Sequence, residues 1–503
     1  MISVIAIILI IAPYLFAAQM TNTESVFGGF LINPIDGHSY LAKMQQGQRG
    51  EWRFALPYTA EAGDGAFIFL FYIIIGHLSR ILHLPLILTF HSFRILGAIL
   101  LLAALYQLNT SLFAERRYQN VGYFISALGS GLGWLAIFAG KFTSDFWVAE
   151  AYPFLSMYTN PHFSIGLSLM ILALLPGRKA SSLAELALGV GLGIIQPFAV
   201  VIVLIVKTGK FVVGMIEDII PFRSLYKADG FFPTFAFAVG GGLILIYQYW
   251  SILADPILSQ WNAQNVTESP GWIDLMISLS PCLILAGLGV KKAWREDQGK
   301  TLVFWAAASL VLVLIPWNLQ RRFLTGIYVP LAGLAVYGLR VLDQKEWLAF
   351  RSSVTLLFVL IIPTNIIVLA SGIQAAARQD LKIYLERDIY NGLDWINDNA
   401  APDALVLTDE ELGLFIPSAT GRRVIYGHPF ETVNAGEEIK FLREFIEEKK
   451  EGLFFENSIA NREIDILFLA GEISKELDNW INKKGMTPEY ENELLRIYLI
   501  GQQ

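Results

Sequence analysis

The feature that most constrains this chain is a succession of long apolar runs, separated by short polar breaks, that continues to about Gly372 of 503 residues. A bilayer span needs about 20 mostly apolar residues, with a range of about 17–25. Candidate runs lie at residues 2–18, 86–108, 121–140, 162–175, 183–195, 198–213, 233–253, 272–290, 302–315, 324–342 and 354–371. Residues 183–213 are apolar for too long to form one helix, and Gln196-Pro197 reads as a tight turn inside them, because proline breaks the helical ladder. The composition agrees with this pattern. Only 16% of residues are charged, against about 25% in soluble proteins. The first run lacks a basic flank and contains Pro13-Tyr14, so it reads as an uncleaved first helix rather than a leader peptide.

Lysine and arginine in short loops set the orientation of such a bundle. Basic breaks occur at Glu115-Arg116-Arg117, Gly177-Arg178-Lys179, Lys207 to Lys210 with Arg223 and Lys227, Lys291-Lys292 with Arg295, and Lys345 with Arg351. All five fall on one side if residues 66–82, an apolar but short stretch, do not cross the membrane. This arrangement implies eleven spans, a cytoplasmic N-terminus, and outer loops at 19–85, 141–161, 196–197, 254–271 and 316–323.

The charge distribution marks a second boundary. Residues 1–372 carry a net charge of about +4 and residues 373–503 about −11. The tail alternates helix and strand patterns. Helices are expected over 381–397, 435–450 and 472–484, and strands over 404–408, 423–426, 464–469 and 494–500. The fold class is therefore a polytopic α-helical membrane bundle (residues 1–372) followed by an external α/β domain (residues 373–503). The net acidity gives no support for a nucleic-acid partner. The single cysteine, Cys282, excludes an intrachain disulfide framework and a cysteine-based zinc cluster.

Several polar residues gather on the outer side once the chain is threaded this way. The first loop is about 65 residues long, and loops above about 12–15 residues are usually functional or disordered. It holds Asn33-Pro34-Ile35-Asp36-Gly37-His38-Ser39-Tyr40 near its start, then an amphipathic stretch to Gln48 and the aromatic residues Trp52, Phe54 and Tyr58, which suit a headgroup layer. The 141–161 loop and its end hold Asp145, Glu150, Tyr152, Tyr158, Asn160 and His162, and the 254–271 loop holds Asp255 and Glu268. Arg321 and Arg322 break the sidedness rule. A bound anion is one reason for such an exception, because guanidinium groups fork onto phosphate. Carboxylates on early loops and arginines on a late one suit transfer from a lipid-phosphate donor, in which a carboxylate takes the acceptor proton and arginine holds the leaving phosphate.

This layout resembles the GT-C superfamily of integral membrane glycosyltransferases, which includes protein O-mannosyltransferases, aminoarabinose transferases and oligosaccharyltransferase catalytic subunits. The residues that carry the resemblance are Asp36, with Tyr40 four positions on, at the head of the long first loop, and Arg94 near the start of the second span. Asn160-Pro161-His162-Phe163 and Gly421-Arg422-Arg423-Val424 resemble stretches of bacterial members. The resemblance implies a polyprenyl-phosphate-linked sugar donor, with Asp36 and Glu150 as catalytic candidates. Arg321, Arg322, His38, Tyr40, His162 and Arg94 are the substrate-binding candidates. Many relatives carry two adjacent acidic residues in the first loop, whereas here Asp36 is followed by Gly37. The resemblance leaves a divalent metal open, and no ligand set for one is evident.

Structural alternatives stand beside each of these readings. Asp36 could cap a helix or make a turn. Asp145 and Glu150 could be solvated loop charges. His38 and His162 could be hydrogen-bonding core residues, and no three-ligand zinc spacing is evident. Arg321 and Arg322 could snorkel to lipid headgroups, and Arg94 could satisfy a carbonyl inside the bundle. The glycine runs 129–133 and 240–242 read as close helix contacts. Two other functions compete with sugar transfer: transport of a lipid or solute, and a catalytically silent membrane scaffold. Against transport, the spans hold few ionisable residues and no paired broken helices in matching halves.

Overall fold

The computed structural model describes residues 1–178, 181–219, 228–344 and 349–500. Lys179, Arg223, Lys227 and Lys345, which entered the sidedness argument, lie outside the described residues. Six helices among the described residues are long and apolar enough to cross a membrane. They are Ile2–Gln19, Leu86–Leu112, Pro197–Ile216, Phe231–Ala254, Gln320–Gln344 and Phe350–Ala377, and the number rises to eight if each of two bent helix pairs is one span. Several present large apolar side chains outward, among them Ile8, Ile99, Leu243 and Ile246, as a lipid-facing surface requires. The protein is an integral membrane protein. The runs expected at 162–175 and 183–195 form helices of 14 residues each, Pro161–Leu174 and Ser182–Ile195. At about 1.5 Å per residue these are shorter than a hydrocarbon core of about 30 Å. The break between Ser182–Ile195 and the helix starting at Pro197 falls at Gln196, as the proline rule anticipates.

The chain divides into two compact units. The first comprises Met1–Leu15, His91–Tyr247 and Val266–Gln374. At its centre is the Gln320–Gln344 helix, whose apolar window is 89% buried, against 17–39% for the other five. Two bent helices pack near it. Arg116–Leu128 and Gly133–Ala139 meet at 45°, and Trp272–Leu279 and Cys282–Trp294 at 77°. Residues 129–133 are thus a helix break, where the sequence had suggested a helix-contact stripe. A break between apolar helices must satisfy its freed backbone groups internally. Here Ser130 N donates to Ile361 O (2.9 Å), Leu132 N to Ile277 O (3.1 Å) and Gly133 N to Asp145 Oδ2 (3.0 Å). Thr364 Oγ1 accepts from Trp134 N and donates to Gly131 O.

The second unit comprises Phe16–Phe90, Gln248–Asn265 and Ala375–Gln503, so the long first loop and the acidic tail share one body. Strand β1 (Ser25–Phe27) of the loop pairs antiparallel with β2 (Tyr384–Glu386) of the tail, in the register Val26 opposite Leu385. The helix expected to begin at 381 begins instead at Arg387, because 384–386 extend to make this pair. The tail then forms strands β3 (Leu405–Leu407), β4 (Arg423–Val424), β5 (Ile466–Ala470), β6 (Tyr490–Glu491) and β7 (Leu495–Leu499), in the order β4-β3-β5-β7-β6. Its central strands β3 and β5 are parallel, and β7 runs antiparallel to β5. Apolar residues line both faces. Leu405, Leu407 and Leu467 enter one core, and Val406, Ile466 and Phe468 the other, as alternation along a strand buried on both sides requires. Ala42 and Tyr58 of the first loop complete the second core.

The first loop holds two helices, Pro34–Arg49 and Leu70–Leu82. The latter has 13 residues, about 20 Å, and is too short to span, consistent with a non-crossing role for 66–82. The two cross at glycine. A Cβ on Gly47 would lie 2.1 Å from Ile73 O, and one on Gly76 2.0 Å from Met44 O, so no side chain fits at either position.

Candidate functional site

In the first unit, Glu150 is buried and its carboxylate lies between two guanidinium groups. Arg322 Nη1 is 3.4 Å and Arg321 Nε 3.9 Å from Glu150 Oε1. The sequence between these residues explains how they meet. The Arg pair sits on a 3-10 turn, Gln320–Leu324, that opens the buried central helix. Backbone bonds fix that helix entry to the Glu150 segment, with Gly326 N donating to Glu150 O (2.8 Å) and Tyr328 N to Ala151 O (3.3 Å). Arg321 also lies over the Trp147 ring at 5.0 Å. The Arg side chains are 22% and 30% exposed. Glu150 is thereby engaged as a counter-ion.

Arg94 is buried and satisfies carbonyls, as one of the sequence alternatives held. Its Nη1 donates to Ile10 O (3.0 Å), Met157 O (3.3 Å) and Tyr158 O (3.4 Å), and its guanidinium stacks on Tyr14 at 4.1 Å. Met157 and Tyr158 end the short helix Pro153–Tyr158, whose last carbonyls lack helical partners. Asp145 is also fully buried. It accepts from Thr143 Oγ1 (2.6 Å) and from Gly133 N, so it ties down the helix break. Burial pushes its carboxyl pKa up, and these hydrogen bonds oppose the shift. Asn160 occupies the N-cap position of Pro161–Leu174 without a side-chain cap bond, and His162 packs its ring against Phe163 at 4.0 Å.

In the second unit, Asp36 lies on the exposed face of the first turn of Pro34–Arg49. It does not cap the helix, because Asn33 is the N-cap residue and Pro34 follows it at N1. Tyr40, one helical turn on, stacks on Tyr72 at 4.4 Å. His38 faces inward. It bonds through Nδ1 to Ser418 Oγ (3.0 Å) and lies between Phe30 and Phe415, and burial pushes its pKa down to about 3. Asp255 caps the helix Pro256–Gln264 through Ile257 N and Leu258 N. Its other oxygen accepts from Asp64 N and Gly65 N, so it clamps the first loop.

The sequence reading missed the most buried ion pair of this unit. Lys43 is fully buried on Pro34–Arg49, with Nζ 2.6 Å from Glu431 Oε1 and 2.6 Å from Ser39 Oγ. The Phe69 ring centroid is 4.7 Å from the same ammonium. Burial pushes the Glu431 carboxyl up, but the charges of Lys43 and His428 and the hydrogen bonds from Lys43 and Ser39 outweigh it and hold the pKa below its usual range. Lysine in an amphipathic helix ordinarily faces water, and a partner 388 positions away leaves no local signal. Among the described residues no group of three or more His, Cys, Asp or Glu could hold a metal ion. Asp36, exposed and followed by Gly37, lacks the neighbouring carboxylates that a divalent-metal site in the first loop needs, so no step below runs through a metal.

The fold is shared with solved structures of membrane glycosyltransferases. The chain is similar to the oligosaccharyltransferase of Archaeoglobus fulgidus in its apo form, with a TM-score of 0.53 and 13% identity over 93% of this chain and 69% of that one. It is similar to the oligosaccharyltransferase AglB from Archaeoglobus fulgidus in complex with an inhibitory peptide and a dolichol-phosphate, with a TM-score of 0.51 and 11% identity over 92% of this chain and 69% of that one. It is also similar to the arabinofuranosyltransferase AftD from Mycobacteria, with a TM-score of 0.52 and 13% identity over 99% of this chain and 40% of that one. At these identities the likeness is one of fold. No protein-family model matches the chain, and no curated protein does.

Proposed function

We propose that the protein is a membrane glycosyltransferase that moves a sugar from a polyprenyl-phosphate-linked donor to an acceptor hydroxyl at the outer face of the membrane. The observation that carries this reading is the Arg321–Glu150–Arg322 cluster, two partly exposed guanidiniums on one carboxylate, in a fold shared with an enzyme solved in complex with a lipid phosphate. Arg322 and Arg321 bind the donor phosphate. Glu150 holds the two guanidiniums in place, a positioning role in place of the catalytic one suggested by the sequence. Asp36 acts as general base. It takes the proton of the acceptor hydroxyl as that oxygen attacks the anomeric carbon, and the bond from that carbon to the phosphate oxygen breaks with its electron pair. The sugar leaves inverted, and polyprenyl phosphate departs with the added negative charge held by arginine.

The accompanying topology has eleven spans in a bacterial plasma membrane, with a cytoplasmic N-terminus and residues 373–503 outside. The short helices Pro161–Leu174, Ser182–Ile195 and Asp297–Leu312 bring the six long helices and two bent pairs to eleven. Purified protein with a polyprenyl-phosphate hexose tests the reading through Asp36→Asn. Loss of a positioned general base costs about 10²–10⁴-fold in rate. Because Asp36 is exposed, the variant should melt with the wild type. Turnover within a few-fold of wild type would remove Asp36 as base.

A further inference from the structure

The first unit holds a groove that the transferase reading does not use. Its volume is about 970 Å³, near the top of the range of about 300–1,000 Å³ for small-ligand sites. Three helices wall it. Ile2–Gln19 contributes Ile5 and Leu9, Arg116–Leu128 contributes Phe124 and Leu128, and Phe350–Ala377 contributes Phe358 and Leu369. On each helix these positions share one apolar face. Phe124 stacks on Phe358 at 3.9 Å, and the hydroxyl oxygens of Ser3 and Tyr123 lie 2.7 Å apart, so neighbouring walls are joined. From Arg116 to Leu128 the groove follows about 18 Å of helix, at about 1.5 Å per residue. That is about the depth of one leaflet, half of a hydrocarbon core of about 30 Å.

Polarity is concentrated at one end of the groove. Arg116 is the one charged side chain among the described residues that line it, and Asn120 lies one turn further along the same helix. At the other end Asn365 is buried and donates to Leu128 O (3.0 Å). Among the described residues Arg116 forms no ion pair, whereas its neighbour Arg117 is held by Glu115 (2.8 Å) and Asp343 (3.4 Å). Ile5 and Ile366, which also line the groove, are 43% and 57% exposed, so it opens sideways on the apolar outer surface of the unit.

We propose that this groove binds an anionic phospholipid, with one acyl chain lying along the three helices and the phosphate at Arg116. The walls select the chain, because every methylene laid into an apolar channel of this depth is removed from polar surroundings. The open end selects the headgroup, because its cation has no protein carboxylate to neutralise it. A zwitterionic lipid brings its own ammonium beside the phosphate and gains less from Arg116. The site stands apart from the transferase reading. The donor phosphate of that reading goes to Arg321 and Arg322 on an outer loop, whereas the proposed topology puts Arg116 at the cytoplasmic face.

Native mass spectrometry of the purified full chain, titrated with dioleoyl phosphatidylglycerol or dioleoyl phosphatidylcholine, reads the affinity of the first bound lipid. The wild type should bind the anionic lipid about fivefold more tightly, the worth of one arginine beside an anionic headgroup. Arg116→Gln, at an exposed position, should fold normally and bring the two lipids level. Ile5→Trp fills the groove from its rim and should lose the tight adduct with Arg116 intact. Lys291→Gln removes a cation that does not line the groove and should keep the preference. No preference in the wild type, a preference that survives Arg116→Gln or Ile5→Trp, or an equal loss in Lys291→Gln overturns the site. Undecaprenyl phosphate separates the groove from the donor site. Its affinity should be unchanged in Arg116→Gln, and a fall matching that of phosphatidylglycerol would give the groove to the donor lipid and overturn the proposal.

Discussion

Lys43 and Glu431 show how little of the energetics of the second unit is visible along the chain. Each would ordinarily be a surface residue. Together they form a buried pair, and removing one partner of such a pair typically costs about 3–5 kcal/mol because the other charge is stranded. Lys43→Met should therefore lower the melting temperature of the second unit sharply, and adding Glu431→Gln should recover part of the loss. Additive losses in the double variant would contradict the pairing. The pH response follows from the same unit. The pKa of His38 is pushed down to about 3 by burial, so between the ordinary value of 6.5 and that value the unfolded chain holds a proton that the folded chain does not. Stability therefore falls as the pH drops through this window, by at most about 1.4 kcal/mol per pH unit for one group. Glu431, held below its usual range, adds stability above its unfolded value and loses it as the pH falls through its folded one. His38→Gln should flatten the slope between pH 6 and pH 4 in denaturant melts, and an unchanged slope would show that the ring titrates normally.

Elements were legible where a local rule governs them. Pro197 placed a helix start, the charged stretch at 435 placed Ala435–Ile446, and the four expected tail strands fell within two residues of their apolar patterns. What escaped depends on distant partners. The sequence Ser25–Phe27 is too short to announce a strand, and 384–386 read as helix until a partner more than 350 residues away pairs with it. Asp36 and the Arg pair stood out as candidates because polar residues at the edges of apolar runs are conspicuous. The roles of Glu150 and Lys43 depend on contacts that no spacing rule encodes. The break at residues 129–133 gives an element-level test. A Cβ on Gly131 would lie 1.9 Å from Ser278 O, a backbone atom that cannot turn aside. Gly131→Ala should destabilise the first unit by about 1–3 kcal/mol, the usual range for overpacking, whereas Gly242→Ala, where a Cβ meets open space, should be silent in the same melt.

At the scale of the molecule, the proposed function rests on a guanidinium pair in the membrane bundle and on an exposed carboxylate on a helix of the other unit. Arg322→Lys keeps the charge and loses the planar fork, so it should raise the donor KM about tenfold. A variant with normal donor affinity would assign the arginines to Glu150 alone. The central claim is that the bond between sugar and phosphate breaks. It is tested most directly by incubating the reconstituted wild-type protein with a labelled polyprenyl-phosphate hexose and a glycoside acceptor, then measuring both products. The account predicts one polyprenyl phosphate released for each sugar transferred. Movement of the intact lipid-linked sugar between leaflets, with no free lipid phosphate formed, would contradict it.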